Sequence, residues 1–110
     1  ECVKFAEEQA EKFGVRAPMV GHMGDGNFHV ILPFDPKNKE SYKKIRAFND
    51  TLIKKSLELN GTITGEHGVG LHKKEYLLEQ HPDNIPVMKS IKRTLDPNNI
   101  MNPGKIFDLN

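Results

Sequence analysis

The stretch Gly21-His22-Met23-Gly24-Asp25-Gly26-Asn27-Phe28-His29 sets two histidines on either side of a turn signal. Asp-Gly is a strong two-residue hairpin signal when apolar runs flank it, because the favoured turn needs positive φ at both central positions. Met19-Val20 precede it and Val30-Ile31-Leu32 follow. With Asp25 and Gly26 at the tip, Gly24 faces Asn27, Met23 faces Phe28 and His22 faces His29. Directly opposed residues share a sheet face, with Cβ atoms about 4.5–5.5 Å apart, so two imidazoles placed there can share one divalent ion. On a straight strand, residues seven apart point to opposite faces, and only the turn makes the pairing. The plainer alternative is a hairpin carrying two half-exposed histidines.

A second stretch bears on that choice. Thr62-Ile63-Thr64 is a short β-branched run leading into Gly65-Glu66-His67-Gly68-Val69-Gly70. Side by side at a strand end, Glu66 and His67 point in different directions and can do different jobs. Glu66 can supply a third ligand while His67 stays free to move a proton. Two histidines and one carboxylate leave open positions on an ion, the pattern of a catalytic rather than a structural site. Against this stands a loop whose polar residues are solvated and whose glycines serve only turns.

The rest of the chain reads as one small α+β domain. Val3, Phe5, Ala6, Ala10 and Phe13 give a helical stripe from Glu1 to about Phe13, ended by Gly14. Arg16 to Met23 and Phe28 to Pro33 are the hairpin strands. Asp35-Pro36 can cap and open a long helix with Tyr42, Ile45, Phe48, Leu52, Ile53 and Leu57 inward and lysines outward. Asn60-Gly61 closes it, and Thr62–Thr64 returns as a third strand. A shorter helix from about Leu71 to Gln80 turns Leu71, Leu77 and Leu78 inward. Ile85-Pro86 opens another, with Val87, Met88, Ile91 and Leu95 toward the core, and Asp96-Pro97 stops it. The tail from Ile100 to Leu109 is irregular. Helices and an antiparallel sheet in this order predict an α+β fold with helices on one face of the sheet.

Composition removes several classes of function. A formal charge of +1 is too balanced for nucleic acid or an anionic membrane surface. Cys2 is the single cysteine, so no internal disulfide forms, which fits a reducing cytoplasm. No apolar run approaches the ~20 residues of a transmembrane helix, and no signal peptide is recognisable. The chain opens on Glu1, already within a helical pattern, as a piece of a longer protein would.

Three motifs occur in order: Gly21 to His29; Gly65-Glu-His-Gly-Val-Gly70 with Lys73 and Leu77 following; and Asp96-Pro97 ahead of Asn102-Pro-Gly-Lys105. Together they resemble the C-terminal part of the FAD-linked oxidases of the vanillyl-alcohol oxidase type, nearest to glycolate oxidase FAD-linked subunits, D-lactate dehydrogenases and D-2-hydroxyglutarate dehydrogenases. The resemblance runs from Pro18 to Phe107. It implies that residues 1–110 form the later portion of a ferredoxin-like substrate or cap domain. The domain that binds most of the FAD would lie N-terminal to it, and the isolated piece would be inactive.

Under that resemblance His22, His29 and Glu66 hold one divalent ion, Zn²⁺ or Mn²⁺, and a small 2-hydroxy acid fills the open positions. His67 is the general base, with a pKa suited to neutral pH. Asn102 and its neighbours approach the flavin. Ile31 departs from the 2-hydroxyglutarate type, which carries Asn at that position, and this favours glycolate or D-lactate. Asn27 is a candidate for steadying a ligand histidine. Asp25, Arg16, His72 and His81 read as turn or surface residues. Two other functions remain open: a metal-dependent hydrolase using the same ligands, and a non-catalytic ferredoxin-like assembly module. A sheet cut short would also leave apolar surface for a homo-oligomer.

Overall fold

The computed structural model describes residues 1–110 as two compact units, Glu1–Gly61 and Thr62–Asn110. Four helices and a two-stranded antiparallel sheet make the fold α+β.

The first unit is built on two packed helices, α1 (Cys2–Phe13) and α2 (Lys39–Glu58). Ala6 and Phe48 are fully buried, with Ile45 and Ile53 beside them in the core. The Phe13 and Phe48 rings meet edge to face, centroids 6.3 Å apart. Both helices end in the same device. Gly14 takes φ +62°, and Val15 N–H reaches back to the Ala10 carbonyl. Asn60 takes φ +59°, and Gly61 N–H reaches the Ser56 carbonyl at 2.8 Å. Each is a left-handed residue closing the last turn so that orphan carbonyls are satisfied. The start of α2 lies later than Asp35-Pro36 suggests. Asn38 is the cap, its Oδ1 accepting from Glu40 N–H at 3.1 Å and Ser41 N–H at 3.0 Å. Asp35 instead closes a turn by accepting from Lys37 N–H. Tyr42 is exposed rather than inward, against the Phe34 ring.

Between the helices lies a short ribbon, β1 (Met19–Val20) and β2 (His29–Val30). Its register pairs Met19 with Val30 and Val20 with His29. This corrects the expected pairing of His22 with His29, and both strands are shorter than the expected Arg16–Met23 and Phe28–Pro33. The cause is local. Residues Met23–Asp25 coil into a 3-10 turn, and the His22 carbonyl accepts from both Asp25 N–H and Asn27 N–H. Gly26 closes that turn at φ +79°. The connection is therefore a wide loop and not a two-residue tip.

The second unit carries α3 (Lys74–Gln80) and α4 (Ile85–Leu95). Thr62–Thr64 does not form the expected third strand, although Ile63 is buried. Helix α3 starts three residues later than expected and buries Leu77, while Leu71 and Leu78 face solvent. Helix α4 opens at Ile85-Pro86 as the sequence implies. Its stripe of Val87, Ile91 and Leu95 is exposed rather than inward, at 60%, 55% and 72%. The helical period is right, but no other element of this unit covers that face. Asp96, by contrast, is buried. Its carboxylate takes the Lys92 ammonium and the N–H groups of Ile100 and Met101, and so ties the end of α4 to the tail.

Candidate functional site

Each unit presents its own candidate residues. In the first, His22 is exposed at the entry to the 3-10 turn, and His29 is half-buried in β2. The register does not set them opposite one another. Gly21 fixes how closely the two arms of this loop approach. It sits at φ +145°, and a Cβ there would fall 2.8 Å from Phe28 Cα and 3.4 Å from Cδ2 of the His29 ring. Only a glycine relieves both demands, the unusual φ and the contact with backbone.

In the second unit, Glu66 and His67 stand on an exposed loop bounded by Gly65 and Gly68, the latter at φ +77°. Their side chains were expected to diverge. Instead Glu66 Oε1 lies 3.4 Å from His67 Nε2. Two donors bound at ~2.1 Å to one first-row ion lie at most ~4.2 Å apart, so this carboxylate–imidazole pair fits a shared divalent ion by donor type and spacing. It fits equally a carboxylate that orients a neighbouring imidazole. Asn102 is exposed at φ +46°, its carbonyl accepting from Lys105 N–H at 3.3 Å. Asparagine tolerates that left-handed geometry, so its position has a backbone reason independent of any cofactor. His72 lies in the turn ahead of α3 and His81 caps its C-terminal end.

Two residues around this loop were given no chemical role by the sequence, although Lys73 belongs to the second motif. Lys73 Nζ donates to the Ile63 carbonyl at 3.1 Å, and Gln80 Oε1 accepts from Ile63 N–H at 3.4 Å and Thr62 Oγ1 at 3.3 Å. Burial pushes the Lys73 ammonium below the ordinary lysine range. The signal was their spacing: residues seven apart return to one helical face, here two long polar side chains on an otherwise amphipathic segment. Thr64 Oγ1, one residue further on, is buried without a hydrogen-bond partner.

Fold and residues together define an α+β module that carries imidazole and carboxylate donors on glycine-bounded loops. The chain belongs to the FAD linked oxidases, C-terminal domain family, whose sequence model matches residues 1–106. It is 44% identical over 96 residues to a probable mitochondrial D-lactate dehydrogenase of Danio rerio, covering 86% of this chain and 19% of that one. It is 41% identical over 106 residues to the glycolate oxidase subunit GlcD of Bacillus subtilis, covering 96% and 23%. A D-2-hydroxyglutarate dehydrogenase of Stutzerimonas stutzeri is 46% identical over 90 residues, covering 79% and 19%. The chain thus spans about a fifth of the length of these relatives.

Proposed function

We propose that this chain is the C-terminal part of a flavin-dependent 2-hydroxy-acid dehydrogenase of the glycolate or D-lactate type, and that it supplies the metal and substrate site and the catalytic base. The observation that carries the reading is the 3.4 Å approach of Glu66 Oε1 to His67 Nε2 in a chain of the FAD linked oxidase family. His22, His29 and Glu66 are the proposed ligands of a Zn²⁺ or Mn²⁺ ion, all N or O donors suited to either metal. When bound, the ion would acidify the substrate hydroxyl and FAD would accept the hydride. His67 takes the hydroxyl proton at Nε2, the nitrogen that lies 3.4 Å from Glu66 Oε1. Asn102 is proposed to face the flavin, which the rest of the parent chain would hold. Without that part the 110-residue chain turns nothing over.

The same 3.4 Å approach favours a second assignment of roles, in which His67 is itself a ligand beside Glu66. The two assignments differ in whether His67 is needed to retain metal.

Ile31 in place of asparagine favours a monocarboxylate over 2-hydroxyglutarate as substrate. No helix is long and apolar enough to cross a membrane. Cys2 is half-buried, and burial raises its thiol pKa; a single cysteine is compatible with the proposed cytoplasmic setting. The Danio rerio relative is named mitochondrial. A substrate screen of the full-length parent with an artificial electron acceptor tests the function. Reduction of the acceptor by glycolate or D-lactate supports it, and a parent without flavin absorbance or 2-hydroxy-acid turnover rejects it.

A further inference from the structure

Ile63 is buried to 4% exposure outside any sheet. A buried backbone N–H and carbonyl each require a partner, and in a strand the ladder would provide both. Here two side chains do so. Gln80, the last residue of α3, accepts from Ile63 N–H, and Lys73, just ahead of α3, donates to the Ile63 carbonyl. Gln80 also takes the Thr62 hydroxyl.

We propose that Lys73 and Gln80 are positioning residues for the Glu66–His67 pair, gripping Ile63 by both of its backbone polar groups and so fixing the start of the loop that carries the pair. The proposal rests on the reading of Glu66 and His67 given above. Only Thr64 and Gly65 separate the gripped residue from Glu66. Gly65 adds backbone freedom, so the anchor at Ile63 limits how far the pair can wander. An ammonium is the stronger donor for such a carbonyl, since charge-assisted hydrogen bonds are about twice as strong as neutral ones. The Lys73 ammonium is kept there despite the desolvation that lowers its pKa. Lys74, its neighbour, pairs instead with Asp108 at 2.7 Å on the surface and takes no part in the grip.

The test is ¹⁵N relaxation of the 110-residue chain, followed by titration with Zn²⁺ alone. Lys73→Met and Gln80→Leu should each lower the order parameters of residues 64–67 from about 0.85 to below about 0.6, with those of α4 unchanged. Lys73→Arg, which keeps a cationic donor, should restore them, and Lys74→Met should have no effect on them. Loss of a group that orients a ligand typically costs 10–100-fold in metal affinity, so Lys73→Met should weaken Zn²⁺ binding at least about tenfold and Lys73→Arg should not. Wild-type order parameters in Lys73→Met overturn the proposal. So does a loosened loop that binds Zn²⁺ as tightly as before. If the wild-type chain takes up no Zn²⁺, the ligand reading of Glu66 fails, and the order parameters alone decide the proposal. If Lys73→Met does not fold, Gln80→Leu decides it from the other side of Ile63.

Discussion

Glu66 Oε1 stands 3.4 Å from His67 Nε2 although the two residues are sequence neighbours. On a regular strand adjacent side chains point to opposite faces, so the convergence belongs to the glycine-bounded loop. It makes the two roles separable by experiment. In the full-length parent, Glu66→Gln should lower bound metal and activity together, and excess metal should restore part of the activity. His67→Ala should keep its metal, measured by elemental analysis. If His67→Ala loses metal as fully as Glu66→Gln does, His67 is a ligand and the second assignment holds.

Gly21 is the most constrained position of the histidine loop. A Cβ at its φ of +145° would meet Phe28 Cα at 2.8 Å and the Asn27 carbonyl oxygen at 3.0 Å. Gly21→Ala should destabilise the chain by about 1–3 kcal/mol, measured by urea unfolding. An alanine variant as stable as wild type would show that this close approach is not maintained.

Thr64 Oγ1 is buried without a partner. Removing an unsatisfied hydroxyl while keeping the side-chain shape is neutral or stabilising. Thr64→Val should therefore leave stability unchanged or raise it by up to ~1 kcal/mol. A clear loss of stability would mean that the hydroxyl has a partner after all.

Asp96 predicts a pH dependence with a definite sign. The hydrogen bond from Lys92, and then that from Ile100 N–H, hold its carboxyl below the usual carboxylate range against the opposing effect of burial. A group whose folded pKa is depressed stabilises the fold above its unfolded pKa, ~3.9, and loses that contribution as pH falls through the lower folded value. Asp96→Asn should be less stable than wild type at pH 7, and the gap should narrow below about pH 4. Denaturant melts at a series of pH values would show it. A gap constant with pH would remove the carboxylate from the account.

The exposed stripe of Val87, Ile91 and Leu95 on α4 favours self-association of the isolated chain. Light scattering should find dimers or larger species, and Ile91→Lys should shift them toward monomer. A wild-type chain that stays monomeric across a broad concentration range would contradict this.

Local chemistry was legible in the sequence wherever it acts alone. Gly14 and Asn60-Gly61 mark helix ends because a left-handed residue closes the last turn, and Ile85-Pro86 marks a helix start because proline suits its first turn. The α+β class followed from these elements. What depended on distant partners was not legible. Asp25-Gly26 suits either a hairpin tip or the end of a 3-10 turn, and the His22 carbonyl takes the second arrangement by accepting from both Asp25 and Asn27. Ile63 was read as part of a short strand, yet it is buried outside any sheet and its hydrogen bonds come from Lys73 and Gln80. For α4 the period identified the apolar stripe, but a stripe does not say what covers it. The two residues of the candidate pair were visible as Glu66-His67, while their convergence was not.

The most direct test of the central claim is rapid anaerobic mixing of the full-length parent with D-lactate or glycolate, following flavin absorbance. The account predicts that wild type bleaches and that His67→Ala, with its metal retained, bleaches about 10²–10⁴-fold more slowly. A His67→Ala enzyme that reduces its flavin at the wild-type rate, or a wild-type parent whose flavin neither acid reduces, would contradict it.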